Sequence, residues 1–438
     1  MDPAIAPGQI PGLSTQQATL VGAIDDGATY EELWDLVCAN AEGFTDVGAL
    51  RLRNVRAAFA EDQDKRATLK TLFFSIPRRL LRSVVLNTVA LDLHDRQSPN
   101  WDHAYEPRSA GTYAVGLTVK GRRGRFLTPG ELRTVLNKLE KYEQAVRFLQ
   151  SHVVLEDAFG NSQIPPDVLD AIETAREVDE RFLTDLGKRW TQGEPLSMPR
   201  YASSSSKKPE AHIASLRAML RRRLLSSSDA HADERLIASP VYVGCGKAME
   251  TRVIEHDPRS TGGGGSSKIL RLTQACMACC GFSPDTVPVG VVRAWEPGHV
   301  ALSEMLVTVL ADSLVSRAGF NVVTPGTNSP ELASDWSKEL LQASRELVWA
   351  ERPFLSENLR LARAPATSAR AEQWRQAMAD IDAEPTLATL RRRKARLVGP
   401  EHVDEFCDSA QEDVAVTNGF AGEFKQALDG TDLFDDLW

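Results

Sequence analysis

Five residues in the middle of the chain are of the types that phosphate chemistry uses. Tyr242 stands in Pro240-Val241-Tyr242-Val243-Gly244, Arg252 and His256 are four positions apart, Glu304 follows in an apolar run, and Asn321 comes shortly after Gly319. One carboxylate such as Glu304 suits a hard divalent ion, which keeps most of its waters and also binds a phosphate oxygen. Arg252 offers a planar, permanently charged fork to the equatorial phosphate oxygens, where negative charge grows in the transition state. The phenol of Tyr242 or the imidazole of His256 can take or relay a proton from water, the imidazole being better matched to neutral pH. Asn321 would orient the backbone. Each also has a plain structural use: a half-buried strand aromatic, a solvated helix face, a carboxylate that suits the helix dipole, and a helix-exit residue.

These side chains need elements to hold them. Pro240–Gly244 is a compact apolar strand ending on a glycine, and Lys247–His256 reads as a helix with Arg252 and His256 one turn apart on one face. The loop Ser260–Ser267 (STGGGGSS) leads into an apolar helix, KILRLTQACMACCGF, and then to a β-branched run, Val287–Trp295. A helix from about Val300 to Ala318 carries Glu304, and Gly319-Phe320-Asn321 and a Pro325-Gly326 turn follow it.

In that order the parts resemble the GIY-YIG nuclease family over residues 236–328: a strand bearing Tyr-(Ile/Val)-Gly, a helix with Arg and His four apart, a third strand, a helix with one Glu, then Asn. The resemblance implies an α+β fold, with a small mixed or antiparallel sheet flanked by helices in the centre and mainly helical N- and C-terminal regions. It also implies a metal-dependent nuclease that hydrolyses phosphodiester bonds in DNA or RNA, with Tyr242, Arg252, His256 and Asn321 as catalytic residues. Glu304 would be the residue that holds Mg²⁺ or Mn²⁺. The family's first motif, Gly-Ile-Tyr on the preceding strand, is expected shortly before Tyr242, where the chain reads Asp229–Glu234 (DAHADE). No tyrosine lies between Tyr201 and Tyr242, so the tyrosine the family uses near the attacking water is absent or displaced. The alternatives are a catalytically inactive module on the same fold that binds nucleic acid or protein, and a helical interaction scaffold.

With 438 residues, 42% apolar and 25% charged, the chain is of globular composition and longer than one core usually organises. The divisions read from it are a mainly helical N-terminal domain over 1–194, a Ser/Pro/Lys-rich linker over 195–208, the GIY-YIG-like domain over 209–328, a helical region over 329–414 and an acidic tail over 415–438. Apolar residues at three- and four-residue spacing, such as Leu33, Leu36 and Val37 or Leu80, Leu81, Val84 and Val85, predict helices up to about Leu93. The alternation of Tyr113, Val115, Leu117 and Val119 predicts a short strand. Thr128-Pro129-Gly130-Glu131 reads as a capping box that opens a helix running to about Val153, and a further helix follows over 166–190. In the tail, Leu433, Phe434, Leu437 and Trp438 form a stripe suited to a groove in this chain or in a protein partner.

The net charge of −9 does not announce a nucleic-acid binder, but basic runs at Arg217–Arg223 and Arg391–Arg396 supply candidate phosphate contacts. Six cysteines are sparse, and Cys276, Cys279 and Cys280 read as buried free thiols rather than zinc ligands. His94-Asp95 and Asp102-His103 read as a polar loop, and Arg122, Arg123 and Arg125 as a solvated turn. No apolar run reaches the length of a membrane span, and the N-terminus lacks a secretory pattern. Together with the thiols, this leads to the expectation of an intracellular protein, cytoplasmic or nuclear, with no membrane partner.

Overall fold

The structure is a computed structural model that describes residues 10–46, 51–105, 109–152, 165–181, 199–202, 209–225, 233–246, 249–258, 268–327, 338–348 and 358. The acidic tail with its apolar stripe, Cys407 and the run Arg391–Arg396 lie outside the described residues. The chain is a mixed α+β protein built on a three-stranded antiparallel sheet with many helices around it. Strands β1 (Gly111–Val119), β2 (Val241–Gly246) and β3 (Pro284–Arg293) are ordered β2-β1-β3, so β1 is central.

That order corrects the division of the chain. The middle strand of the sheet comes from the segment assigned to a helical N-terminal domain, and the cut at 195–208 falls between two strands that are hydrogen-bonded neighbours. Nor do the described residues of that segment behave as a linker: Tyr201 and Ala202 are buried. Every residue of β1 is buried, as a central strand covered on both faces requires.

Among the described residues six α-helices precede the sheet: α1 (Thr15–Asp25), α2 (Tyr30–Glu42), α3 (Arg53–Ala60), α4 (Gln63–Phe74), α5 (Arg78–Leu86) and α6 (Val89–Leu93). Capping boxes start two of them, Ser14 with Gln17 and Thr29 with Glu32. Their apolar faces, among them Leu20, Trp34, Phe73 and Leu81, share one core with Val241, Val243 and Val289 of the sheet. Between β1 and β2 the chain inserts α7 (Pro129–His152), α8 (Pro166–Glu180) and α9 (Pro209–Leu225). Thr128 and Glu131 cap α7 as its sequence predicts: Thr128 N–H donates to Glu131, and Glu131 N–H donates to the Thr128 hydroxyl. The insertion packs with α11 (Lys268–Cys279) into a second core that includes Tyr142, Leu216, Met277 and Phe320.

Two further helices finish the frame, α10 (Met249–Ile254) after β2 and α12 (His299–Ala311) after β3, and α13 (Lys338–Glu346) follows them. α10 ends earlier than the sequence suggests, so His256 lies in the turn that follows, its N–H donating to the Val253 carbonyl. α12 also stops early, at Ala311. Asp312 takes a left-handed conformation with φ of 51°, and the chain reverses to bring Asn321 back beside β2. α12 is joined to the central strand by a 2.6 Å hydrogen bond between Ser303 and Thr112.

A candidate active site on the sheet face

Directly opposed residues of an antiparallel pair point to the same face, and the register pairs Tyr113 with Gly244 and Val115 with Tyr242. Tyr113 and Tyr242 therefore share one face of the sheet. Tyr113 leans across Gly244, and the reason for that glycine is steric: a Cβ there would lie 2.5 Å from the Tyr113 hydroxyl oxygen. Gly111 opens the same strand, at φ of 154°, where a side chain would collide with the Val292 carbonyl of β3.

The turn after α10 lays His256 over both phenols. Its ring centroid is 4.6 Å from that of Tyr242 and 5.6 Å from that of Tyr113, and its Nε2 is 2.9 Å from the Tyr113 hydroxyl. Two side chains of α11 hold this turn from beneath: Arg271 donates to the Glu255 carbonyl and Gln274 to the His256 carbonyl. Burial pushes both phenols well above their usual range; Tyr242 adds to the shift of Tyr113 and Glu304 to that of Tyr242, and Arg252 opposes both. Burial, then the charges of Arg271 and Arg252, push His256 down to about 3, so the imidazole is neutral at physiological pH.

Arg252 is part-exposed and reaches Glu255 at 3.3 Å. Glu304 is buried at 7% exposure, and its Oε2 accepts a 2.8 Å hydrogen bond from the Gly326 N–H in the Pro325-Gly326 turn. Burial raises its carboxyl pKa, while the Gly326 N–H, the Cys245 thiol and the charge of Arg252 pull it back. Burial also pushes the Cys245 thiol far up, so it stays protonated and donates to Glu304. Arg252, Tyr242, Cys245 and Glu304 thus feel one another's charge across the end of the β2 strand.

The Asn321 side chain hydrogen-bonds to the backbone of β2. Its Oδ1 accepts from Val243 N–H at 2.9 Å and its Nδ2 donates to the Val243 carbonyl at 2.7 Å. These are groups that the edge strand β2 turns away from β1, and a carboxamide presents one acceptor and two donors in the right plane to satisfy them. Phe320 N–H adds a bond to the Val241 carbonyl, so the Ser313–Asn321 return works as a surrogate strand.

The structure therefore brings Tyr242 and His256 into contact, with Arg252 near enough to act on both by charge. Glu304, on the helix that Ser303 joins to the other face of the sheet, reaches Tyr242 and Arg252 by charge alone, and Asn321 clamps β2. Tyr113 joins them although sequence reasoning gave it only a strand position. Its signal was Gly111-Thr112-Tyr113 at the start of a predicted strand, hidden by the insertion that separates it from Tyr242. The basic run on α9 is corrected. Arg217 is paired with Glu140 and Glu143, and Arg221 with Glu140. Arg222 donates to carbonyls of the 316–317 turn, and the buried Arg223 donates to Ala318. The run mainly fastens α9 to α7 and to the loop that carries Asn321.

Of the other candidates, Cys276 is buried and Cys279 and Cys280 are half-buried, their thiols pushed up by burial. Among the described residues no group of three His, Cys, Asp or Glu is placed to hold a metal ion. His94 and Asp95 are exposed and bond to their own loop, and Arg122 is held by Glu131 at 2.5 Å. Among the described residues no helix is long and apolar enough to cross a membrane. No protein-family model, curated protein or solved structure matches the chain.

Proposed function

We propose that the chain is a metal-dependent nuclease of the GIY-YIG type that hydrolyses phosphodiester bonds in DNA or RNA. One observation carries the reading: Tyr113 lies directly opposite Gly244 of the Tyr242-Val243-Gly244 strand and on the same face as Tyr242, with the Tyr113 hydroxyl 2.9 Å from His256. A tyrosine on the neighbouring strand is the part that the sequence had left unfilled.

In this reading Tyr113 takes a proton from the attacking water as its own passes to His256 Nε2. A neutral imidazole is needed for that, and burial with two nearby cations keeps it neutral. Arg252 exchanges Glu255 for a phosphate of the substrate and stabilises the charge that develops on its oxygens. The arriving phosphate also offsets the field of Arg252 that depresses His256, making the imidazole a better acceptor when substrate is bound. Tyr242, packed on His256, limits where the ring can sit.

In this reading Glu304 holds the divalent ion. It is a single buried carboxylate whose ionised form is penalised by burial, a penalty that a bound cation relieves. Mg²⁺ or Mn²⁺ held there would stabilise the leaving oxygen. One feature favours a binding-only module on the same frame: the low exposure of Glu304, with Oε2 already taken by Gly326. Incubating the purified chain with plasmid, single-stranded DNA and RNA, with and without Mg²⁺ or Mn²⁺, separates the two. The nuclease reading expects metal-dependent cleavage that Glu304→Ala abolishes. Binding without cleavage under every condition would replace it with the binding-only module.

A further inference from the structure

His256 is 1% exposed, yet only one of its ring nitrogens is accounted for. Nε2 meets the Tyr113 hydroxyl, and among the described residues the buried Nδ1 has no hydrogen-bond partner. A second orphan lies on the helix beneath. Gln274, fully buried, donates from Nε2 to the His256 carbonyl at 3.1 Å and leaves its own Oε1 buried and unpartnered. Unmade bonds of this kind carry the full desolvation cost of a buried polar group, and here the two loose ends belong to residues already joined by one hydrogen bond.

The chemistry of the pair fixes their roles. A carbonyl only accepts, so the Gln274 amide nitrogen must face the His256 carbonyl, and a flipped carboxamide would set two oxygens against each other. Oε1 is thereby held as an acceptor, and the complement of an acceptor is a protonated Nδ1.

We propose that Gln274 is a positioning residue that sets the tautomer of His256: a small turn of the two side chains about the hydrogen bond they already share brings Oε1 onto the Nδ1–H, and Nε2 is left bare to accept from Tyr113. This role rests on the nuclease reading, because only a relay through Tyr113 requires a bare Nε2. The tautomer itself does not depend on that reading. Arg271 and Arg252 support the arrangement, since two cations near a buried imidazole disfavour the doubly protonated ring, in which neither nitrogen can accept.

The test is long-range proton–nitrogen NMR of the full chain labelled with ¹⁵N-histidine, the His256 signals being assigned by their loss in His256→Gln. The proton is expected on Nδ1 in the wild type. In Gln274→Met, which keeps the length of the side chain but has no acceptor, it is expected to move wholly or partly to Nε2. Gln274→Glu, protonated as burial requires, keeps a donor for the His256 carbonyl and an acceptor for the ring, and should keep the proton on Nδ1. Where wild-type cleavage is measurable, Gln274→Met should lower kcat by roughly tenfold or more with KM unchanged, as loss of a proton-relay geometry does. A wild-type proton on Nε2, or an unchanged tautomer in Gln274→Met, overturns the proposal. If Gln274→Met does not fold, the wild type and Gln274→Glu decide. Absence of cleavage with Nδ1 protonated would sink the nuclease reading and leave the tautomer assignment standing.

Discussion

Two buried tyrosine clusters can be set side by side, one in the insertion and one on the sheet. In the insertion, Tyr142 donates to Asp179 Oδ1 at 2.9 Å and accepts from the Tyr201 N–H at 3.0 Å, while Asp179 Oδ2 accepts from the Arg200 N–H at 2.7 Å. That network closes on itself and pins residues 199–202 against α7 and α8. On the sheet, Tyr113 and His256 share one hydrogen bond, His256 and Gln274 each keep an unpaired buried atom, and part-exposed Arg252 stands close by. A closed network rigidifies a fold, whereas a buried network with loose ends is costly unless something else completes it. The same residue type thus serves structure in one place and candidate chemistry in the other.

The largest effect that would separate the clusters is on rate. Glu304→Gln keeps the shape of the side chain and removes the charge a metal needs. It should lower cleavage by roughly a thousandfold, about 4 kcal/mol, with little change in substrate binding. No substitution at Asp179 should do this in a single-turnover assay, and an equal loss there would erase the distinction.

Proton linkage gives the two clusters opposite slopes. Burial holds the Asp179 carboxyl up at about 6, so the folded state keeps a proton that the unfolded chain releases. The stability this contributes is full below the ordinary carboxylate pKa and is lost as pH rises through about 6, a change of roughly 3 kcal/mol. His256, held down at about 3, contributes stability that is present above the ordinary imidazole pKa and is lost as pH falls towards 3. Thermal unfolding from pH 3 to 8 should show Asp179→Asn flattening the loss between pH 4 and 7, and His256→Gln flattening the acid limb. Profiles unaltered by either substitution would remove the electrostatic part of the comparison.

Smaller effects test the packing. Gly244→Ala puts a methyl where the Tyr113 ring lies and should cost roughly 1–3 kcal/mol, read as a lower midpoint in urea, with cleavage impaired as well. Tyr142→Phe opens the closed network and should cost about 1–2 kcal/mol of stability without changing the cleavage rate of the folded protein. A rate loss in Tyr142→Phe larger than that in Gly244→Ala would invert the assignment.

Much of the local structure was legible because it depends on near neighbours. The capping box at Thr128, the β2 strand around Tyr242 and the apolar helix that became α11 all follow from spacing within a dozen residues. The alternation from Tyr113 to Val119 gave a strand, but not its place in the centre of the sheet, since strand order depends on contacts across the whole insertion. For the same reason Tyr113 went unassigned as a partner of Tyr242. The arginines of α9 looked like phosphate contacts because a sequence does not show which carboxylates and carbonyls face them, and Glu140, Glu143 and the 316–318 turn do. Gln274 carried no signal at all: in sequence it is one polar residue in an apolar helix, and its meaning comes from the two atoms left unpaired beneath His256.

The most direct test of the central claim is the single-turnover cleavage rate of Tyr113→Phe, with Tyr142→Phe as its matched control. Each substitution removes one buried phenolic hydroxyl, so a merely structural role predicts similar behaviour. If Tyr113 and His256 form a proton relay, Tyr113→Phe should lose roughly a hundredfold or more in rate while still binding nucleic acid, and Tyr142→Phe should cleave as the wild type does. Tyr113→Phe cleaving at the wild-type rate would contradict the account.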